Sequence, residues 1–246
     1  MHTTYVRHLF HLRWPQIAAT FFICFLAAQS VQAQGTGYVR RHLEFYDDKP
    51  IHYGFLFALP VTRFNLRHSD TFLESDSAYS IQSPAQGAFR MGFTVNAFLT
   101  DHFDLRSTPS VSLYERQVKY RYPGGTERIE RRESTWVEIP LLLKYKSVRR
   151  INTRMYLLAG VTLAIETNVK RSRGNVSANN RLDTKTSDFT LDYGVGFEQF
   201  FQYFKFAPEL RFSHGLTNLL QPANNSVSVG LDRLTTHTVT LYLNFE

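Results

Sequence analysis

Thr238-Val239-Thr240-Leu241-Tyr242-Leu243-Asn244-Phe245 is the stretch on which the fold assignment turns. In an extended chain successive side chains point to opposite faces. Val239, Leu241, Leu243 and Phe245 therefore share one face, and Thr238, Thr240, Tyr242 and Asn244 share the other. The same period of two runs backward through the chain. Phe204 to Phe212 sets Phe204, Phe206, Leu210 and Phe212 against Lys205, Glu209 and Arg211, and Phe189 to Phe197 sets Phe189, Leu191, Tyr193, Val195 and Phe197 against Thr190, Asp192 and two glycines. No stretch beyond residue 33 sustains the 3.6-residue apolar period of a helix.

Five further segments show the alternation: Tyr53–Val61, Phe89–Leu99, the long and least regular Phe103–Tyr122, Val137–Tyr145 and Met155–Ile165. The count predicts eight strands. Short links occur around 100–102, 148–152 and 201–203, while the links at 67–87, 123–134, 170–186 and 217–233 are long and polar. Short periplasmic turns alternating with long external loops are the habit of outer-membrane barrels. The expected architecture is an all-β, eight-stranded antiparallel transmembrane barrel with both termini on the periplasmic side.

Alternation alone does not say which face meets lipid, because a soluble sandwich or lipocalin-like barrel alternates too. Three features favour lipid outside. One face gathers charge of both signs, in Arg90, Glu138, Lys144, Asp192, Glu198, Lys205, Glu209 and Arg211. The other is apolar and aromatic for about nine to eleven residues per strand, the length a tilted membrane strand needs. The chain also ends on an aromatic strand. Pro60, Pro109, Pro140 and Pro208 count against this reading, since each removes a ladder donor within a proposed strand.

The first 33 residues differ from the rest. Arg7 and Arg13 form a basic start, Ile17 to Ala28 an apolar run of 12 residues, and Val31-Gln32-Ala33 a small-residue cleavage pattern. The run is too short to span a membrane as a helix, so residues 1–33 are expected to be a cleavable signal peptide. Residues 34–51 would then be a periplasmic N-terminal segment, and 52–246 the barrel. Cys24, the single cysteine, lies within the signal, so the mature chain would carry no disulfide and no thiolate metal site. Net charge is +7, and losing Arg7 and Arg13 leaves +5. Export makes nucleic acid a poor partner for that charge; lipid phosphates or an acidic protein fit better.

An eight-stranded interior is about wide enough to be filled by side chains. The eight inward charges are therefore expected to neutralise one another in a packed polar core, since unpaired buried charge is costly. Ser213-His214 is the nearest approach to a catalytic dyad, but His214 falls with the outward set near the outer rim. No metal-binding histidine spacing and no phosphate-binding glycine loop occurs, and no cofactor and no small-molecule substrate is expected. Two polar stretches are candidates for partner contact. One is the predicted loop 124–134, with Arg128, Arg131 and Arg132 among Glu127, Glu130 and Glu133. The other is the N-terminal segment, with Tyr46, Asp47, Asp48, Lys49 and Pro50, either a flexible leader or a plug or docking element.

Three stretches carry a family resemblance. They are Tyr46-Asp47-Asp48-Lys49-Pro50-Ile51-His52-Tyr53-Gly54-Phe55, the strand from Trp136 through Glu138-Ile139-Pro140 to Tyr145, and Phe206-Ala207-Pro208-Glu209 through Ser213-His214-Gly215-Leu216-Thr217-Asn218. Together they resemble the PorT family, small outer-membrane barrels of Bacteroidota associated with the type IX secretion system. The Glu-Ile-Pro strand is common to many barrels of that group, whereas the leader and the Ser-His-Gly exit are more particular. The resemblance implies a non-catalytic accessory or assembly role in protein secretion. Outer-membrane lipid, lipopolysaccharide and other secretion-system proteins would be its partners. The alternative is a stand-alone surface barrel serving envelope stability or binding ligands through its external loops. Phe245 is followed by Glu246, a departure from the aromatic ending common in barrel insertion signals.

Overall fold

Strands need neighbours, and in the computed structural model they find them in one antiparallel sheet. The structure describes residues 40–68, 80–121, 127–171, 184–221 and 231–246. The predicted signal peptide and residues 34–39 lie outside these. The strands are β1 (Ile51–His68), β2 (Ser80–Gln82), β3 (Gln86–Gly87), β4 (Phe89–Phe98), β5 (Phe103–Ser107), β6 (Ser110–Arg121), β7 (Glu127–Lys146), β8 (Thr153–Arg171), β9 (Ser187–Phe200), β10 (Lys205–Gly215) and β11 (Leu231–Phe245).

The expected eight-stranded barrel is corrected by this count: the described residues form an eleven-stranded sheet. Two causes account for the difference. The predicted third strand is divided at Thr108-Pro109 into β5 and β6. Its halves keep one register against β7, with Phe103 opposite Tyr145 and Ser110 opposite Glu138. The link predicted to be wholly loop before Phe89 contributes two short strands, β2 on β6 and β3 on β1. The order is β2-β6-β4-β5-β7-β8-β9-β10-β11-β1-β3, with further pairings of β6 with β7 and β4 with β1. Each long strand from β7 through β11 to β1 thus has a hydrogen-bonded neighbour on both sides, which satisfies the backbone without water.

The prolines sit where they cost least. Pro109 occupies the gap between β5 and β6, and Pro140 faces that gap from β7, between its pairing with β5 at Leu142 and with β6 at Glu138. There the Ser107 hydroxyl donates to the Pro140 carbonyl at 2.8 Å. Pro60 lies where β1 changes partner from β4 to β3. Pro208 keeps its register with β11 but falls in a break of the β9–β10 pairing. A residue with no N–H is tolerated at a break in the ladder.

Alternation assigns the faces in the inverse of a soluble protein. Tyr53, Phe93, Met155 and Leu157 are exposed, while Arg106, Arg211, Lys144, Lys205 and Glu198 are fully buried. The predicted loop 124–134 is a second correction, because β7 already begins at Glu127 and pairs with β6 from Arg121 onward. Its Arg-Glu alternation is that of a strand continuing past the apolar belt. On the inward face of this extension Val118 and Tyr120 join Phe64, Ile81, Leu219, Leu231 and Leu234 in an apolar cluster. The interior is therefore polar through the middle and greasy at the end remote from residue 246.

If the exposed belt faces lipid, Leu141→Lys in its centre should cost about 2–4 kcal/mol. Urea unfolding of the protein folded into lipid vesicles measures this; a loss near zero would mean that water, not lipid, covers the belt.

Candidate functional site: the charged interior and the docked N-terminal segment

Inward parity brings together charges that are far apart in sequence, in three tiers. At the end bearing residue 246, Glu198 on β9 takes Lys144 of β7, Arg154 of β8 at 2.6 Å and Lys205 of β10 at 3.1 Å. In the middle, Glu209 of β10 receives Arg106 at 3.0 Å, Arg211 at 2.5 Å and the Tyr156 hydroxyl at 2.9 Å. Gly196 makes room for that phenol, since a Cβ there would lie 2.1 Å from Tyr156 Cζ. Further up, Arg90 pairs with Glu138 at 2.6 Å, donates to Ser112 at 2.8 Å and contacts the hydroxyls of Tyr114 and Tyr242.

Of the eight inward charges expected from sequence, Asp192 stands apart. It accepts from the hydroxyls of Thr162 at 2.6 Å and Thr190 at 2.8 Å and makes no ion pair among the described contacts. Sequence reasoning missed Arg106, Arg154, Lys146 with Asp104 at 2.7 Å, and the tyrosines 114, 156 and 242 that hydrogen-bond into the network. Arg106 was hidden in the irregular third segment, although its parity with Asp104 would have found it. Arg116 is buried among the rings of Phe64, Tyr114 and Trp136 at 4.4–5.4 Å. Beside it is a cavity of about 20 Å³, bordered also by Asp188 and Thr236. That volume holds about one water, so among the described residues the interior is nearly filled at this height.

Glu246 is the largest surprise. The strict parity of Thr240, Tyr242 and Asn244 carries it inward, where it meets Arg106 at 2.9 Å and Lys205 at 2.7 Å. Burial pushes the Glu246 carboxyl up, but Lys205 and Arg106 overcome it and hold it down at about 2. The departure noted at the sequence level is thus an interior ligand.

The N-terminal segment closes over this tier. Tyr46 donates to Glu246 at 2.7 Å and accepts from Lys205 at 2.7 Å. Burial, and the carboxylate beside it, push the Tyr46 hydroxyl well above its usual range, so it remains a donor. His52 stacks on the Tyr46 ring at 4.0 Å and meets its carbonyl oxygen at 2.6 Å. Asp47 pairs with Arg154 at 3.0 Å, and the His42 amide donates to Asn152 at 2.8 Å. Arg149, in the β7–β8 turn, donates to the carbonyls of His42 and Leu43. Asp48, Lys49 and Pro50 remain exposed. Of the predicted loop arginines, Arg131 is exposed on β7 and Arg132 pairs with Glu166 at 2.6 Å; the Arg128 side chain lies outside the description. Among the described residues no group of three or more His, Cys, Asp or Glu is arranged to hold a metal ion.

Two outcomes follow. Glu209→Gln strips the charge that neutralises Arg106 and Arg211 and should cost about 3–5 kcal/mol, whereas Asp192→Asn, whose partners are hydroxyls, should cost about 1 kcal/mol; urea unfolding in vesicles compares them. The folded-state value for Glu246 lies below its ordinary 4.5, so its contribution is complete above that pH and is lost as the pH falls toward about 2. NMR signals of residues 41–50 should shift across that window and stay flat in Glu246→Gln.

A family model described as "Outer membrane protein beta-barrel domain" matches residues 28–221. No curated protein matches the chain. Solved structures similar to it include the outer membrane protein OprG from Pseudomonas aeruginosa, at 12% identity and TM-score 0.48, covering 78% of this chain and 93% of that one. Neisserial surface protein A matches at 9% identity and TM-score 0.43, covering 80% and 98%. Ail of Yersinia pestis matches at 9% and 0.35, covering 80% and 98%. The family match spans most of the chain and runs from β1 through β10. The chain therefore belongs to the outer membrane protein β-barrel domain family and resides in the bacterial outer membrane with its termini toward the periplasm.

Proposed function

We propose that this protein is a non-catalytic accessory or assembly component of the type IX secretion system, as its resemblance to the PorT family implies. It acts as a rigid, filled barrel that presents a fixed periplasmic surface to partner proteins. The observation carrying this reading is the docking of residues 42–47. A segment that merely tethered a signal sequence would need no ion pair to Arg154, no hydrogen bond to Glu246 and no stacking on His52. Docked in this way, it holds Phe45 outward at 76% exposure, beside the charged pair Asp48 and Lys49. An exposed aromatic on a rigid backbone is a suitable anchor for a protein interface. The interior argues for a scaffold and against a conduit, because among the described residues Arg106, Arg211, Lys144, Tyr156 and Tyr242 are fully buried within it.

A clean deletion strain should accumulate cargo in the periplasm and recover secretion when the gene is restored. Phe45→Asp should fail to restore secretion while reaching the outer membrane at the normal level, as read by fractionation and heat-modified gel mobility. Normal secretion in the deletion strain would overturn the proposal and favour the stand-alone surface barrel.

A further inference from the structure

The outward face of β10, β11 and β1 carries a feature that the secretion role does not use. Arg63 stands opposite His237 across β1–β11, and His237 stands opposite His214 across β11–β10. These three outward side chains form a row at one height. The ring nitrogens Nδ1 of His237 and His214 are 3.1 Å apart, and the Tyr193 hydroxyl lies 3.0 Å from His214 Nε2 with the two rings stacked. Directly beneath the row the face is apolar, in Val61, Val239 and Phe212. Directly above it is a polar depression of about 280 Å³ lined by Asn65, Leu66, Arg67, Gly215, Arg233 and Thr235. Arg67 has a long, exposed contact with Asp232 at 3.5 Å, and Arg233 donates to the Leu216 carbonyl at 3.2 Å. Among the described residues each guanidinium uses one nitrogen, Arg67 Nε and Arg233 Nη2.

This face lies at the end of the sheet remote from Glu246 and the docked segment, where the apolar belt gives way to polar residues. We propose that it binds a phosphorylated glycolipid of the outer leaflet. The acyl chains lie on the Val61, Val239 and Phe212 band, the phosphate meets Arg63 and the histidine row, and the sugar or a second phosphate sits in the depression between Arg67 and Arg233. Three observations converge on that occupant. Guanidinium groups recognise phosphate oxygens with paired hydrogen bonds. The aromatic Tyr193 marks the interfacial height. The cations sit immediately above an apolar surface, which a free soluble anion would have no reason to require. Among the described residues Asp232 is the acidic side chain in contact with this group, set against Arg63, Arg67 and Arg233.

The inference rests on the outer-membrane placement and not on the secretion role, so normal secretion in a deletion strain leaves it untouched. The test uses the full chain in detergent micelles and reads bound ligand by native mass spectrometry. The probes are diphosphoryl lipid A, monophosphoryl lipid A, phosphatidylcholine and inorganic phosphate. One diphosphoryl lipid A should be retained per chain, with weaker retention of the monophosphoryl form. The double variant Arg63→Ala, Arg233→Ala should weaken binding about tenfold, and Arg63→Lys, Arg233→Lys should keep most of it. If the alanine pair fails to fold, as judged by heat-modified mobility, His214→Ala alone should still reduce retention. Equal retention of phosphatidylcholine, tight binding of inorganic phosphate alone, or unchanged affinity in the folded variants would each overturn the assignment.

Discussion

One carboxylate, Glu198, is held by Lys144, Arg154 and Lys205, cations that come from β7, β8 and β10 and surround it on β9. Four consecutive strands are thereby fastened at one height by a group with no access to water. The arrangement is obligatory once the outer face of the sheet is apolar, because polar side chains of the same strands have only one other direction to point. A buried charge without a partner costs several kcal/mol, so the cations that parity sends inward meet anions or, for Arg116, the faces of aromatic rings. Glu209 and Glu138 repeat the solution higher up, each with a tyrosine donor of its own tier (Tyr156 and Tyr114), and the Tyr242 hydroxyl joins the two by accepting from Arg211 and Arg90.

This constraint also shapes the periplasmic end. The last tier is completed by Glu246 and by Tyr46, so the N-terminal segment is a member of the network and not an appendage to it. Docking orders residues whose outer sides stay exposed, which is how a short segment becomes a surface that a partner can recognise. At the opposite end the requirement is relaxed. Above the apolar belt, water is available outside, and the inward face of the β6–β7 extension reverts to ordinary burial of Val118, Tyr120 and their neighbours. Two different packing chemistries thus fill the two ends of one sheet.

Much of this was legible in residue order. Period-two alternation located the strands and assigned Arg90, Glu138, Lys144, Lys205, Glu209 and Arg211 to one face. It failed in identifiable places. Phe103–Tyr122 was irregular because Pro109 interrupts it, and that obscured Arg106. Glu127–Ser134 reads as a loop because its charges suggest solvent, although strands that leave the membrane carry charge outward without penalty. The four prolines looked like objections, yet each sits at a break in pairing that sequence does not mark. Glu246 departs from the aromatic ending of insertion signals, and its parity with Asn244 is the better guide to its place.

The sequence by itself determined the class of structure, strands with one apolar and one charged face, because side-chain direction in an extended chain depends only on local position. It also determined which charges share a face. Only the tertiary structure decided which cation meets which anion, that Asp192 is satisfied by threonines, that the sheet counts eleven strands, and that Tyr46 completes the lowest tier. Strand pairings join residues as far apart as Phe55 and Phe245, and side-chain contacts Tyr46 and Glu246, and their choice depends on the register and stagger of the whole sheet. No local pattern encodes those quantities.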